Sequence, residues 1–183
     1  NALRAKGQIL AYHDRSDGGL LAAVAEMAFA GHVGVALNVD MLVTEGDGIS
    51  DSRMETGDAK NWAQQVSARR EELTLKALFN EELGVVLQVR TAERNEVMQT
   101  LREHGLSKFS HFIGKTRPAS SSINAGKGEL QVWRDAKAVF SAPLADLHQV
   151  WDAVSWKICQ QRDNPANADA EHAAAGEPTD PGM

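Results

Sequence analysis

The sequence predicts an α+β fold, a mixed β-sheet flanked by helices, and three observations carry that reading. Strand-like and helix-like runs alternate over the first half of the chain. Consecutive short strands follow, Glu129–Trp133 and Ala138–Ser141 being separated by an Asp135-Ala136-Lys137 turn. A long amphipathic helix then comes after Pro143. Mixed order of this kind suits helices packed on a sheet that is not purely parallel.

Asn1 to Lys6 reads as the last turn and a half of a helix stopped by Gly7, which suggests a piece of a longer polypeptide. Gln8-Ile9-Leu10-Ala11-Tyr12 is a short apolar run bounded by a glycine and a polar cluster, the pattern of a buried strand. From Leu20 to Ala30 the residues Leu20, Ala23, Val24, Met27 and Ala30 fall on one helical face, and Gly31 closes the helix. Val33 to Val39 alternates as a second strand. A polar excursion at about 41–74 contains Glu45-Gly46-Asp47-Gly48 and Asp51-Ser52-Arg53 and has few large apolar residues. Glu71–Phe79 is expected to be helical, Leu83–Val89 a strand, Thr91–His104 an amphipathic helix ended by Gly105, and Phe109–Ile113 a short strand. The last helix runs from Pro143 through Leu144, Leu147, Val150, Val154 and Ile158, with Trp151 and Trp156 adding apolar surface. From Arg162 the chain turns polar and Ala-rich, which is linker composition. The expected organisation is a domain over residues 1–161 followed by a linker over 162–183.

Composition excludes several classes of function. With 183 residues, 43% of them hydrophobic and 24% charged, the chain can bury one good core. A formal charge of −6 argues against a nucleic-acid surface, which wants clustered Lys and Arg. No run approaches the roughly 20 apolar residues of a membrane span, and no basic segment with an apolar stretch opens the chain as a secretory signal would. The lone Cys159 leaves no internal disulfide framework and no Cys-based zinc site, and fits a reducing, cytoplasmic setting.

His13-Asp14-Arg15-Ser16-Asp17-Gly18-Gly19-Leu20 concentrates acids, a hydroxyl and two glycines between a strand and a helix. A helix N-terminus there offers unpaired N–H groups and roughly half a positive charge, and glycines let a phosphate approach the backbone. Asp14 would give a hard oxygen to the magnesium that accompanies a nucleotide's phosphates, and Ser16 a hydroxyl to phosphate or metal-bound water. Equally, Ser16 or Asp17 is simply an N-cap and Gly18-Gly19 its turn. Asn80-Glu81-Glu82, between a helix and a strand, either faces a substrate or is a solvated helix end. His13 reads as a satisfied structural imidazole, and His32, His104, His111, His148 and His172 lack metal-ligand spacing. Cys159 lies on the last helix without a nucleophile elbow and reads as packing.

Four blocks in register carry a resemblance: His13 to Leu20; Ala25-Glu26-Met27-Ala28-Phe29-Ala30-Gly31; Leu78-Phe79-Asn80-Glu81-Glu82-Leu83-Gly84; and Arg162-Asp163-Asn164-Pro165 with Asp180-Pro181-Gly182. Together they resemble the large single-chain phosphoribosylformylglycinamidine synthases, in the second C-terminal aminoimidazole-ribonucleotide-synthetase-like domain, just ahead of the glutaminase domain. The resemblance spans nearly the whole chain apart from the excursion.

It implies part of an ATP-dependent glutamine amidotransferase, a ligase of de novo purine biosynthesis that amidates formylglycinamide ribonucleotide. ATP activates the amide oxygen as an iminophosphate, which ammonia from the glutaminase domain displaces. Positioning and charge neutralisation by metal dominate such phosphoryl transfer. By motif position Asp14 resembles the family's magnesium-binding aspartate and Ser16 its nucleotide-contacting serine, with Mg2+ and ATP or ADP as the implied cofactors. An auxiliary, structural ADP is favoured over the catalytic nucleotide. The implied partners are other domains of the same polypeptide, the glutaminase domain among them. The isolated segment is expected to be inactive and to expose apolar surface. Alternatives are a related superfamily enzyme, such as selenophosphate synthetase or aminoimidazole ribonucleotide synthetase, and a non-catalytic interaction module.

Overall fold

A computed structural model describes residues 1–44, 59–117 and 128–177. Contacts define two units, Asn1–Ala23 with Val39–Ile113 and Val24–Asn38 with Gly114–Met183. The α+β class holds, with mixed β structure flanked by helices.

In the first unit, helix α1 (Ala2–Ala5) ends at Gly7, and strand β1 follows at Ala11–Asp14. This strand starts and ends later than the apolar run Gln8–Tyr12 suggested. Gln8 N–H donates to the Leu3 carbonyl at 3.1 Å and so still belongs to the helix end, whereas Leu10 N–H opens the ladder on the Gln88 carbonyl at 2.8 Å. The antiparallel partner β3 (Val85–Gln88) sets the register Ala11↔Gln88, Tyr12↔Leu87, His13↔Val86 and Asp14↔Val85. The acid of the opening motif is therefore inside the sheet rather than beyond it.

Helix α2 (Gly19–Gly31) begins in this unit, and α3 (Asp40–Thr44), α4 (Ala59–Phe79) and α5 (Arg94–Glu103) belong to it. Helix α4 reaches well back into the stretch expected as a polar excursion. Its Glu72 pairs with Lys76 four residues on and with Arg69 three residues back, and Thr74 and Leu78 bury one face at helical spacing. Polarity there reflects good helix formers with few core positions, not an absence of structure. Residues 45–58, with Glu45-Gly46-Asp47-Gly48 and Asp51-Ser52-Arg53, lie outside the described residues. A 3-10 turn at Thr91–Glu93 opens α5, which buries Val97 and Thr100.

The second unit holds a four-stranded mixed sheet in the order β4–β2–β5–β6, built from β2 (Gly34–Asn38), β4 (Gly114–Arg117), β5 (Glu129–Arg134) and β6 (Lys137–Pro143). Strand β2 runs parallel to β5 and antiparallel to β4, and β5–β6 is a hairpin. Its turn places Asp135 and Ala136 at φ 51° and 58°, the left-handed pair that matches the twist of a two-residue hairpin. The strand expected at Phe109–Ile113 is absent. Ser107–Phe109 forms a 3-10 turn, and the ladder starts only at Gly114, where β4 is exposed throughout. The aromatic pair misled: Phe109 is 79% exposed, and Phe112 lies under the Arg94 guanidinium 5.1 Å away. The true strand is a short polar edge, a composition that discourages further pairing.

Helix α6 (Leu144–Arg162) follows Pro143 as expected. A further helix, α7 (Pro165–Ala174), occupies part of the stretch expected as linker. Asn164 Oδ1 accepts the Ala166 N–H at 2.9 Å and Pro165 takes the first helical position, so the start is specified locally. Trp156 of α6 and His172 of α7 then stack with ring centroids 4.1 Å apart, and Asp152 accepts from His172 Nδ1 at 2.8 Å. Alanine-rich sequence is equally good helix, and a buried partner surface decides between the two. Asp180-Pro181-Gly182 lies outside the described residues. Among the described residues no helix is long and apolar enough to cross a membrane.

Candidate functional site

The opening motif folds as strand, turn and helix. Asp14 is the last residue of β1, paired with Val85. Strand alternation puts Tyr12 and Asp14 on the same side, and both are exposed. The Tyr12 hydroxyl donates to Asp14 Oδ1. That hydrogen bond, helped by desolvation and by the carboxylate's charge, holds the Tyr12 phenol above its ordinary pKa of 10.0. His13 Nδ1 lies 2.6 Å from the Asp14 carbonyl, so that nitrogen carries the proton and donates, and Arg15 N–H donates to the Gly84 carbonyl at 2.9 Å. The His13 imidazole has a main-chain partner, as a satisfied imidazole has. Asp14 is thus fixed through its main chain and through one side-chain oxygen.

Ser16 is exposed, and its carbonyl accepts the Gly19 N–H at 2.9 Å to close the turn. Gly18, at φ +80°, supplies the left-handed residue that such a turn needs in its third position. The capping role considered for Ser16 or Asp17 belongs to a distant residue instead. Glu81 Oε1 accepts the Gly18 N–H at 2.9 Å, so an intramolecular carboxylate already sits at the positive end of α2. Arg15 reinforces the join: its Nε donates to the Asn80 carbonyl at 2.8 Å and its Nη2 to Glu82 Oε1 at 2.8 Å. Asn80 Oδ1 in turn accepts the Glu82 N–H at 2.9 Å.

The two motifs that sequence reading took separately are therefore one structure. Asn80, Glu81 and Glu82 are exposed, as at a solvated helix end, and at the same time clamp the turn that follows Asp14. The glycine pair changes meaning too. A Cβ on Gly19 would come within 2.7 Å of the Phe79 carbonyl carbon and 2.8 Å of the Leu78 oxygen, so close packing against the end of α4 by itself requires glycine at this position. Two signals in the sequence pointed to this, the positive Arg15 in one motif and the paired acids in the other, but neither names its partner without the fold.

Magnesium is satisfied by one or two carboxylates together with phosphate oxygens and water. Among the described residues no group of three or more His, Cys, Asp or Glu side chains could hold a metal by itself. Asp14, exposed and with one oxygen held by Tyr12, fits a metal that arrives with a nucleotide's phosphates rather than a cage built wholly from protein.

Cys159 on α6 is half-buried, with Arg162 Nη2 3.9 Å from its sulfur. His148 stacks on Phe29 at 4.6 Å.

Residues 1–123 match the family model described as AIR synthase related protein, C-terminal domain. The chain belongs to this family. The AIR synthase C-terminal match takes in Asp14, Ser16 and the clamp, while β5, β6, α6 and α7 lie beyond it. Among solved structures, the chain is similar to Thermotoga maritima PurL complexed with ATP, at TM-score 0.51 and 13% identity over 78% of this chain and 19% of that one. It is likewise similar to Thermotoga maritima PurL complexed with FGAR, at TM-score 0.51 and 14% identity over 80% of this chain and 19% of that one. PurLQS from Thermotoga maritima matches at TM-score 0.50 and 13% identity over 78% and 19%. This AIR synthase family chain thus spans about a fifth of the length of the solved chains it matches, and at these identities the likeness is one of fold.

Proposed function

We propose that this chain is the magnesium–nucleotide-binding portion of a multidomain phosphoribosylformylglycinamidine synthase of the large single-chain form, an ATP- and glutamine-dependent ligase of purine biosynthesis. The observation that carries the reading is the held Asp14. An acid at the end of β1 is fixed by Tyr12, His13 and Val85, and an exposed serine follows two residues later on a clamped turn. Membership of the AIR synthase C-terminal family supports a domain from an ATP-using enzyme. The similar fold in a PurL complexed with ATP, and in another complexed with FGAR, supports the choice within that superfamily.

In this reading Asp14 holds the magnesium and Ser16 contacts the nucleotide. The metal, when bound, neutralises phosphate charge. The protein's share is positioning. Glu81 and Arg15 keep the turn closed, so Ser16 stays at a fixed distance from the carboxylate, and no motion of the loop has to be frozen out on binding. The nucleotide bound here is an auxiliary, structural ADP. Residues 162–183 lead toward the glutaminase domain, and the other domains of the same cytoplasmic polypeptide supply the remainder of the site.

The test is protein-bound nucleotide in the full-length polypeptide. Asp14→Asn and Ser16→Ala lower the ADP retained through purification and raise the Mg2+ needed to retain it. Retention equal to that of the parent in both variants makes the motif a turn and leaves the chain an interaction module. If glutamine-dependent turnover falls in proportion to occupancy while kcat per loaded molecule stays constant, the nucleotide is auxiliary; a fall in kcat at full occupancy assigns it to catalysis.

A further inference from the structure

We propose that Tyr12 is a positioning residue for Asp14: its phenol holds one carboxylate oxygen and thereby presents the other to a magnesium–phosphate group. The inference rests on the reading of Asp14 as a magnesium ligand and adds a residue to that site.

Three observations carry it. Tyr12 and Asp14 stand two apart on one side of β1, where alternation brings side chains of residues i and i+2 alongside each other. Tyr12 is 55% exposed, so core packing does not explain its place, and an exposed phenol has water available as a partner. It donates instead to Asp14 Oδ1. Lastly, the main chain around Asp14 is already fixed. The Asp14 carbonyl accepts from His13 Nδ1 at 2.6 Å, the next amide is bonded to Gly84, and the residue is in register with Val85. With the backbone set, the freedom left to the carboxylate is rotation about its two side-chain bonds, and the phenol restrains that rotation.

A cation with strict octahedral demands gains from a ligand that is aimed before it arrives. Partners of this second kind, which touch the ligand rather than the metal, typically alter metal affinity by about 10–100-fold when removed. Tyr12→Phe deletes the hydroxyl alone and leaves the ring on the sheet surface.

The experiment titrates Mg2+ against ADP binding in the full-length polypeptide for the parent, Tyr12→Phe and Asp14→Asn, with ADP affinity in EDTA and the thermal midpoint measured beside it. Tyr12→Phe is expected to raise the Mg2+ concentration at half-saturation by about tenfold, with ADP affinity in EDTA and thermal midpoint unchanged. Should Asp14→Asn raise that concentration while Tyr12→Phe leaves it where it was, the positioning role is overturned and the metal reading of Asp14 survives. Should neither variant move it, the metal reading itself fails and the role of Tyr12 goes with it. A Tyr12→Phe protein that loses thermal stability together with EDTA-independent ADP binding makes the phenol structural, which also overturns the proposal.

Discussion

Glu81 Oε1 accepts the Gly18 amide at 2.9 Å across a sequence separation of 63 residues, placing a carboxylate from the loop after α4 at the start of α2. The bond does what an N-cap side chain does, but from outside the helix. Its loss uncovers a donor at the positive end of α2. Glu81→Ala is therefore expected to lower the free energy of unfolding by about 1 kcal/mol. Glu81→Gln, whose amide oxygen still accepts, loses less, and the difference between the two variants reports the charge at the helix end. Urea unfolding of the three proteins measures both. An Ala variant as stable as the parent would mean that water caps Gly18 equally well.

Gly19 and Gly105 form a matched pair for separating backbone strain from close packing. Their φ angles are nearly equal, +71° and +74°, so alanine incurs the same left-handed cost at both, about 1 kcal/mol. At Gly105 a Cβ meets nothing within 4 Å, whereas at Gly19 it meets the α4 backbone at 2.7 Å. Backbone cannot swing aside as a side chain can. Gly19→Ala is expected to cost about 1–3 kcal/mol more than Gly105→Ala. Equal losses would show that the α4 end retreats freely and that close packing does not require the glycine.

Arg15 tests whether the clamp holds as a unit. Its side chain is 17% exposed although that of Glu82 is 63% exposed, and it bonds the Asn80 carbonyl as well as Glu82, so the main-chain bond adds to what an exposed ion pair alone contributes. A lysine places one compact charge where Arg15 uses two nitrogens in a fixed plane. Arg15→Lys is expected to lose most of the stabilisation that Arg15→Ala loses, and Arg15→Ala combined with Glu81→Ala to cost less than the sum of the two, since both hold the same turn. A double-mutant cycle by urea unfolding measures the coupling, and strict additivity would make the two bonds independent.

Much of this was legible in the residues. Periodicity located α2, α5 and α6, and the turn residues located the β5–β6 hairpin. Where reading failed, the deciding force was tertiary. Gly114–Arg117 became a strand because β2 offered it a ladder, although Phe109–Ile113 has the more strand-like side chains. Residues 165–174 became a helix because Asn164 starts it and Trp156 gives it a surface. The clamp escaped notice for the same reason, since its halves are 63 to 67 residues apart and neither has a local period.

The α6–α7 pairing also makes a prediction about acid. Asp169 accepts from Trp156 Nε1 at 2.9 Å and from Gln160 Nε2, and these bonds, followed by the nearby Lys157 and His172 charges, hold its carboxyl below the ordinary aspartate value. A depressed folded pKa stabilises the pairing above the unfolded aspartate value of about 4 and ceases to do so as pH falls through the folded one. His172 also hydrogen-bonds Asp152, and comparison of the parent with an Asp169 variant over one pH interval isolates Asp169. Between about pH 5 and pH 3 the urea midpoint, followed by tryptophan fluorescence, is expected to fall further in the parent than in Asp169→Asn, which keeps an acceptor for Trp156 but has no proton to take up. Above about pH 5 the two curves should run parallel. The same acid dependence in both proteins would place the pH sensitivity in other carboxylates, such as Asp163 beside Arg162, and reduce the Trp156–Asp169 bond to an ordinary neutral contact.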